Sequence, residues 1–569
     1  MPLRIPLGIS DFRELREKGL EYVDKSGLLI EMIDREGTKV LLLPRPRRFG
    51  KTLNLSMLRC FFEKRPEDLS HLFQDLAVWK AGDAYRRHFQ RYPVIFLTFR
   101  DVKASTFEGC WADLTRKVQA LYDEHRAVLD GGALSALERR NYEAILDGTA
   151  EAALYRQALG DLSRYLHRAT GERAMILIDE YDEPIHAGFV HGYAREILEF
   201  FRAFLTVGLK DNPHLERGVV TGILRIARES IFSGLNNLAV YTLLQKTFST
   251  CFGFTDPEVE ALLARAGQRD AMGLVRAWYN GYDFGGTVIY NPWSVLSYLA
   301  DAEPELKPYW LNTSSNDLIR ATLKKHAARL GPMLEALLRG DGFETVLDEN
   351  VALDRVDQSD AALWSLLVFS GYLKAEKRPR GPMEQAAHHL SVPNREVRLI
   401  YSGTFQELLE ARLRDHGADL HRLLHGLLGG DAALVERQLG AFVKNVLSYH
   451  DLGADAANTP ESVYQVFVLG LLAALEPGHR VRSNRESGEG RPDVLVLPNE
   501  PGQPGLVLEL KVARGKRTLE QALDDGIEQV RGKDYAAELR AAGADPVHVL
   551  VIAFDGKQLR VRRADADTA

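Results

Sequence analysis

Cysteine is scarce in this chain of 569 residues, in which only Cys60, Cys110 and Cys251 occur. An odd number of widely spaced cysteines argues against a disulfide framework and against a cysteine-rich zinc site. Long apolar runs are missing too: the most apolar stretch, at 466–475, is too short to span a bilayer, and the N-terminus has no apolar signal core. We therefore expect a cytoplasmic protein of a reducing compartment, with no membrane partner.

An excess of basic residues is also missing, because 72 Lys and Arg stand against 79 Asp and Glu, for a formal net charge of −7. This charge gives no global attraction to nucleic acid, so any such binding must use local basic patches. A chain of this length with 45% hydrophobic residues is too long to fold around one ordinary core. Several domains are expected.

The first half of the chain alternates short apolar segments with longer helical patterns. Strands are predicted at 39–43, 93–99, 174–179 and 218–224. This alternation is typical of a parallel sheet covered by helices. Apolar residues at helical spacing between the second and third strands predict a helical insertion at about 105–170.

A phosphate-binding loop is predicted between the first strand and the amphipathic helix that follows it. Gly50, Lys51 and Thr52 stand at the start of that helix. Backbone amides at a helix N-terminus attract phosphate, the lysine reaches the β- and γ-phosphates of ATP, and the threonine hydroxyl binds Mg²⁺. A chance Gly-Lys-Thr tripeptide would be the better interpretation without the strand, the helix and the acidic motif described next.

The rest of this loop departs from the usual pattern. Arg45 occupies the position where the first glycine is expected, and Arg47, Arg48 and Phe49 complete the loop. The arginines either add phosphate contacts or are solvated, and we count the whole loop among the candidate nucleotide-binding residues.

The third predicted strand ends on Asp179 and Glu180. In a P-loop fold the carboxylate at this strand end holds the Mg²⁺ shell, here Asp179, and the next one, Glu180, polarises the attacking water. Asp182 and Glu183 are predicted to cap the following element. An exposed acidic turn is the alternative for this segment taken alone.

The fourth predicted strand offers further polar groups. Thr221 falls where a side chain would sense the γ-phosphate, and Arg225 or Arg228 follows as a cationic finger acting in cis or toward a neighbouring subunit. A surface position on the next helix is the alternative for both arginines.

Near the C-terminus, residues 485–513 predict a hairpin that carries Asp493, Glu509 and Lys511. Strand periodicity puts Glu509 and Lys511 on one face, and Asp493 opens the partner strand. Two carboxylates bind a hard divalent cation and lower the pKa of its water, while the lysine stabilises charge on a scissile phosphate. The alternative is an ordinary hairpin with an exposed polar face, although Val507 on that face argues against it.

Several of these motifs together resemble a known group: YVDKSGLL at 22–29, RPRRFGKTLNLSML at 45–58, LIDEYDEPI at 177–185, TGILRIARESIFSGLNNL at 221–238, YNPWSV at 290–295 and SGYL at 370–373. They are similar to a bacterial and archaeal AAA-ATPase-like family whose C-terminus carries a PD-(D/E)XK nuclease-superfamily domain. The resemblance includes the arginine-rich phosphate loop. It implies ATP, Mg²⁺ at both sites with Mn²⁺ as an alternative at the nuclease site, and a glutamine near that site, here Gln529.

The resemblance also implies an α/β multi-domain fold class. The expected order is a P-loop AAA-ATPase-like core with a RecA/AAA-like parallel sheet at 1–254, a helical lid at 255–330, a helical region at 331–455 and a restriction-endonuclease-like domain at 456–569. Within the third region, 361–376 followed by 389–401 reads as a helix leading into a β-ribbon, which makes a winged helix one interpretation.

Some assignments near the nuclease hairpin stay open. The first acidic residue of the site is Glu461, Glu486 or Glu489. Lys516, Arg517, Arg531 and Lys533 either track a phosphate backbone or form a solvated face. His388 and His389 are adjacent, wrongly spaced for a shared metal, and are expected at the surface.

Two functions compete at this point. The first is an ATPase whose nucleotide state gates metal-dependent cleavage of nucleic acid, with DNA favoured over RNA, in defence or mobile-element biology. The second is an ATP-switched regulatory or nucleic-acid-binding protein that does not cut. A homo-oligomer is compatible with both.

Overall fold

The computed structural model of the chain describes residues 3–224, 237–301, 304–310, 340–349, 358–378, 386–401, 419–446, 478–483, 492–513, 517–531, 535–556 and 558–564, with isolated positions between them. The chain divides into two compact units. The first comprises Met1–Ile319 and Gly342–Val397, and the second comprises Arg320–Asp341 and Arg398–Ala569.

A five-stranded parallel sheet forms the core of the first unit. Its strands are β1 (Val40–Pro44), β2 (Val94–Thr98), β3 (Ala174–Asp179), β4 (Leu215–Gly222) and β5 (Leu238–Val240), in the order β2-β3-β4-β1-β5. All four predicted strands are present and every ladder is parallel, which confirms the predicted sheet. Since the carboxyl ends of parallel strands meet at one edge, the residues that follow β1, β2, β3 and β4 come together there.

Helices surround this sheet. They are α1 (Phe12–Glu17), α2 (Gly27–Ile33), α3 (Lys51–Phe62), α4 (Ala77–Lys80), α5 (Asp83–Arg86), α6 (Phe107–Glu124), α7 (Ala136–Leu146), α8 (Ala152–Thr170), α9 (Glu183–His191) and α10 (Ala194–Leu209), with 3₁₀ turns at Ser70–Leu72 and Arg126–Leu129. The helical region between β2 and β3 is therefore α6 to α8. Two of these helices begin at side-chain caps: Thr106 opens α6, and a capping box of Ser135 and Glu138 opens α7.

A small antiparallel sheet lies in the region expected to be a helical lid. Its strands are β6 (Phe254–Thr255), β7 (Tyr282–Phe284) and β8 (Thr287–Tyr290), in the order β6-β8-β7. The helices are α11 (Asp256–Arg265), α12 (Met272–Tyr279) and α13 (Pro292–Ala300), with a 3₁₀ turn at Arg269–Ala271. In β7, Tyr282 and Phe284 alternate with Asp283 and bury one face of the strand.

A second small sheet follows in the first unit. It contains β9 (Phe343–Val346), β10 (Lys374–Arg378) and β11 (Ala387–Ser391), in the order β10-β11-β9, and α14 (Asp360–Phe369) precedes β10. The helix and the ribbon are thus present, although 395–401 is helical rather than part of the ribbon. Eight of the ten residues of α14 are buried, so this helix has no open polar face for a nucleic-acid groove. A winged helix stays a prediction.

The second unit is built on a mixed five-stranded sheet. Its strands are β12 (His479–Ser483), β13 (Val494–Pro498), β14 (Gly505–Val512), β15 (Val547–Asp555) and β16 (Gln558–Ala564), in sequential order, with β14 and β15 parallel. The helices are α15 (Leu420–Leu428), α16 (Ala432–Val446), α17 (Leu519–Arg531) and α18 (Ala536–Ala541). Leu506, Leu508 and Leu510 face one apolar core and Val507 faces a second. Both faces of β14 are covered, as expected from Val507.

Among the described residues, no helix is long and apolar enough to cross a membrane. Cys60, Cys110 and Cys251 are free thiols, and all three are buried.

Candidate functional site

The loop between β1 and α3 ends at Gly50, which has the left-handed backbone conformation (φ 86°) and precedes the first helical residue, Lys51. A residue with a Cβ is strained in this conformation. The amides at the start of α3 have no intrahelical partner and carry the positive end of the helix dipole. This end of α3 lies at the carboxyl edge of the sheet and has the properties of an anion site.

Lys51 is buried and lies between the loop and the acidic end of β3. Its Nζ donates to the carbonyl oxygens of Arg45 (3.2 Å) and Pro46 (3.3 Å), and it lies 3.5 Å from Oε1 of Glu180. Burial alone would raise the pKa of Glu180, but Lys51, Arg47 and Arg100 outweigh it and the pKa is lowered. Glu180 is therefore ionised at neutral pH, as a group that polarises water must be.

Asp179 and Thr52 form the contact expected of a metal site. Thr52 Oγ1 donates to Asp179 Oδ2 at 2.8 Å, and Thr221 Oγ1 donates to Asp179 Oδ1 at 2.9 Å. Asp179 is fully buried, and burial followed by the neighbouring Glu180 raises its pKa. A hydroxyl and a carboxylate side by side are ligands that Mg²⁺ accepts. Thr221, predicted to sense the γ-phosphate, instead orients this carboxylate.

Arg45 does not behave as a phosphate ligand or as a solvated residue. It is fully buried, and its guanidinium donates to the carbonyl oxygens of Pro44 (2.7 Å), Tyr241 (2.7 Å) and Phe248 (3.2 Å). Burial lowers its pKa to about 10. The sequence interpretation of this position is corrected: Arg45 ties the loop to the segment after β5, because carbonyl groups surround its fork of donors.

Substituting Arg45 with methionine should therefore destabilise the fold. The variant keeps the apolar stem but leaves buried carbonyl groups without their donor, at an expected loss of about 2–4 kcal/mol in the free energy of unfolding. Denaturant titration measures it. The control is Arg126→Ala, which removes an exposed pair with Asp123 and should change stability by less than about 0.5 kcal/mol. Equal stabilities of the two variants would contradict this structural role.

The remaining loop residues have separate environments. Arg47 Nη2 donates to Glu183 at 3.0 Å, and the exposed Arg48 lies over the Trp293 ring at 4.2 Å. Partial desolvation of its guanidinium, followed by the charges of Arg100 and Arg47, lowers the pKa of Arg48. Phe49 is buried against Tyr282 and Phe284, so its side chain is part of the core. Arg47 and Arg48 stay candidate phosphate ligands.

Arg100 is a site residue that the sequence interpretation missed. It follows β2, and its Nη2 donates to Thr52 Oγ1 at 2.7 Å. No motif surrounds it in the sequence. Only the pairing of β2 with β3 brings it beside Asp179 and Thr52.

The two carboxylates that follow Glu180 differ from their predicted role. Asp182 occupies the N-cap of α9 without a side-chain capping bond. Its Oδ2 accepts instead from the amides of Ile223 (2.8 Å) and Leu224 (2.9 Å), which fixes the end of β4. Glu183 accepts from Arg47 and Lys103. The capping prediction was therefore wrong for Asp182, whose side chain reaches across to the neighbouring strand.

A cleft opens beside the start of α3. It is lined mainly by apolar groups from the N-terminal segment, α3 and the region of α11 and α13: Pro6, Tyr22, Val23, Gly50, Leu53, Phe254 and Leu296 are among them. Lys25, in the wall, pairs with Glu258 of α11 at 2.7 Å and so joins the N-terminal segment to that helix.

The second candidate site lies on β13 and β14. Lys511 Nζ contacts Glu509 Oε1 at 2.6 Å, which confirms that the two side chains share a face. The ladder pairs Val494 with Leu508, so Asp493 and Glu509 are the next opposed positions. Asp493 Oδ2 accepts from the Leu510 amide at 2.7 Å, and burial raises its pKa. These carboxylates are hard oxygen ligands suited to Mg²⁺ or Mn²⁺.

Gln529 and Tyr535 stand beside these three side chains. Gln529 lies on α17, which packs so closely on the sheet that a Cβ at Gly526 would come within 3.3 Å of Cγ of Lys511. Tyr535 is nearly buried, and its pKa is raised by burial while Gln529 lowers it and Glu509 raises it. The sequence interpretation missed Tyr535, although it follows Gln529 by only six positions in the chain.

The remaining predicted residues either lie outside the described part of the chain or have surroundings that differ from the prediction. Arg225, Arg228, Glu461, Glu486, Glu489, Lys516 and Lys533 lie outside the described residues. Within the described part of the chain, no group of three or more His, Cys, Asp or Glu side chains is placed to hold a metal. His388 is buried on β11, against the prediction of a surface residue, because its face of the ribbon packs inward.

Known proteins resemble this chain over both units. Residues 6–232 match a family described as AAA-ATPase-like, a predicted AAA-ATPase, and residues 459–564 match the PD-(D/E)XK nuclease superfamily. An uncharacterized protein encoded in the vnfD 5′ region of Azotobacter chroococcum mcd 1 is 30% identical over 567 residues, 97% of this chain and 96% of that protein. The chain belongs to the AAA-ATPase-like family with a C-terminal PD-(D/E)XK nuclease-superfamily domain.

Both sites of this AAA-ATPase-like protein fall within the matched segments. Lys51, Thr52, Asp179, Glu180 and Arg100 lie within 6–232, and Asp493, Glu509, Lys511 and Gln529 lie within 459–564. The family therefore agrees with the general reading of an ATPase joined to a nuclease-superfamily domain.

Proposed function

We propose that the first unit binds Mg²⁺·ATP and hydrolyses it. The observation that carries this proposal is the contact of Thr52 with Asp179 beside Lys51, at the start of α3. The loop amides and Lys51 hold the β- and γ-phosphates, while Thr52 and Asp179 hold Mg²⁺. The adjoining cleft presents a mainly apolar lining beside the start of α3.

Glu180 acts on the water in the hydrolysis step. The water oxygen forms a bond to the γ-phosphorus while the bond from that phosphorus to the β–γ bridging oxygen breaks. The water proton passes to the carboxylate of Glu180, and ADP leaves with the electron pair. Glu180 has a left-handed backbone (φ 52°), a strained conformation for a residue other than glycine that is found mainly at functional sites.

The substitution Glu180→Gln should preserve ATP binding and slow hydrolysis about 100-fold or more, since the amide keeps the shape but cannot take the proton. Single-turnover hydrolysis measures the rate, and calorimetry measures binding. Glu172→Gln is a matched control, because that exposed carboxylate pairs with Arg91 away from the loop. Wild-type hydrolysis by the Glu180 variant would exclude Glu180 as the group that takes the proton.

We propose that the second unit cleaves nucleic acid with a divalent cation held by Asp493 and Glu509. Lys511 stabilises charge on the scissile phosphate, and Gln529 orients groups at the same site. The contact of Glu509 with Lys511 on one strand face, opposite Asp493, supports this proposal. A bound cation would separate Lys511 from Glu509, which frees the ammonium group for the substrate.

The proposed partner is nucleic acid, with DNA favoured over RNA, and the proposed setting is cytoplasmic, in keeping with three buried free thiols. Incubating the purified chain with labelled DNA and RNA, with and without Mg²⁺, Mn²⁺ and ATP, tests partner and activity together. Selective cleavage of DNA in the presence of metal is the expected result.

A further inference from the structure

Arg100 makes an unusual contact for an arginine at the edge of a sheet. Its guanidinium is exposed, and the side-chain partner of that guanidinium is the hydroxyl of Thr52, at 2.7 Å. Among the described residues, no carboxylate lies within ion-pair distance of Arg100. The guanidinium of Arg100 is thus held next to Asp179 by the neutral hydroxyl of Thr52. In the proposed reaction, this hydroxyl has a different partner.

That partner is the metal. Thr52 Oγ1 is the oxygen that would bind Mg²⁺, and it already donates to Asp179. A metal ion on this oxygen and the guanidinium cannot both remain there, because like charges at contact distance repel strongly. Loading the site with Mg²⁺·ATP therefore releases Arg100 from Thr52 and provides an anionic partner for it at the same time.

The position of β2 decides which phosphate Arg100 meets. In the order β2-β3-β4-β1, β2 lies beyond β3 as seen from the phosphate loop. The apolar cleft is lined by Gly50 and Leu53 at the start of α3, and its lining does not include Arg100, Asp179 or Glu180. Arg100 approaches from the side of Asp179 and Glu180, where the terminal phosphate and the attacking water meet.

We propose that Arg100 is a catalytic cation of this site, which moves from Thr52 to the γ-phosphate oxygens when Mg²⁺·ATP binds. This inference rests on the proposed ATPase function. It assigns to Arg100 the cis role that the sequence suggested for Arg225 or Arg228. A guanidinium on the transferring phosphoryl group stabilises the charge that its oxygens carry in the transition state.

The test compares Arg100→Ala and Arg100→Lys with wild type and with Arg91→Ala. Arg91 lies before the start of β2, whereas Arg100 follows its end. Because Arg91 pairs with Glu172, it is a matched control. Calorimetry with Mg²⁺ measures the affinities for ADP and for a non-hydrolysable ATP analogue. Single-turnover hydrolysis of ATP measures the chemical step, and thermal unfolding verifies that each variant is folded.

We expect Arg100→Ala to bind ADP within about 2-fold of wild type, to bind the triphosphate about 10-fold more weakly, and to hydrolyse ATP about 1,000-fold more slowly. Arg100→Lys should recover part of the triphosphate affinity but little of the rate, since a lysine lacks the planar fork. Arg91→Ala should match wild type.

Two results would overturn the inference while leaving the proposed function intact. One is hydrolysis by Arg100→Ala within about 3-fold of the wild-type rate. The other is an equal loss of ADP and triphosphate affinity, which would make Arg100 a positioning residue for Thr52. If wild type binds neither nucleotide, the proposed function fails and this inference fails with it.

Discussion

Replacing Lys51 with alanine should lower the affinity for ATP about 100-fold or more, to the point where binding escapes an ordinary titration. Lys51 is the buried point charge nearest the loop amides, and its present partners are two loop carbonyl oxygens and Glu180. When ATP binds, Lys51 exchanges these contacts for charge-assisted hydrogen bonds to two phosphates. Calorimetry or a thermal-shift titration with Mg²⁺·ATP measures the loss.

The matched control is Lys18→Ala, which removes an exposed lysine paired with Glu14. It should bind ATP as wild type does. Because Lys51 is buried, thermal unfolding without nucleotide must first show that the variant is folded, and Lys51→Met, with a stem of similar length, is the second variant. Unchanged affinity in a folded Lys51 variant would refute the P-loop assignment.

Substitutions at the hairpin of the second unit should abolish cleavage. Asp493→Asn and Glu509→Gln keep the shape and remove one metal ligand each, so each should reduce cleavage at least about 100-fold. Their effects should not add, since a single remaining carboxylate does not hold the cation. ATP hydrolysis should survive in both variants unless nucleic acid stimulates it.

Lys511→Ala should also remove cleavage, but by a different route. The lysine contributes charge to the transition state and is not a ligand, so calorimetry with Mn²⁺ should still detect the cation. Glu500→Gln is the control, because Glu500 is an exposed carboxylate in the turn between β13 and β14. Loss of Mn²⁺ binding in Lys511→Ala, or loss of cleavage in Glu500→Gln, would contradict the assigned roles.

In the first site, the sequence could predict the residues that belong to short local motifs. Lys51 and Thr52 are neighbours in the chain, and Asp179 and Glu180 end an uninterrupted apolar strand, so strand and helix patterns were sufficient to place them. β5 escaped prediction because its three residues are all half-buried and carry no periodicity.

Long-range contacts account for what the sequence did not predict. Arg45 is buried because carbonyl groups of Tyr241 and Phe248, some 200 positions away, surround its guanidinium. Arg100 reaches Thr52 because β2 pairs with β3, and no local pattern gives the strand order. Thr221 and Asp182 likewise bond across strands. Side chains whose partners are distant in sequence are assigned only by the fold.

The second site shows the same division. The two-residue periodicity of a strand predicted that Glu509 and Lys511 share one face of β14, and their 2.6 Å contact agrees with that prediction. Tyr535 follows Gln529 closely in the chain, but nothing in that spacing predicts that its side chain lies beside Glu509. His388, adjacent to His389 and wrongly spaced for a shared metal, was expected at the surface, but the inward face of β11 buries it.

The central claim is that one chain combines an ATP site with a metal-dependent nuclease, and a cleavage assay on wild type, Asp493→Asn and Lys51→Ala tests it most directly. Labelled DNA and RNA are incubated with each protein in Mg²⁺ or Mn²⁺, with and without ATP. We predict metal-dependent cleavage by wild type, none by Asp493→Asn, and loss of any ATP effect in Lys51→Ala. Absence of cleavage by wild type under every condition, or equal cleavage by Asp493→Asn, would contradict the claim.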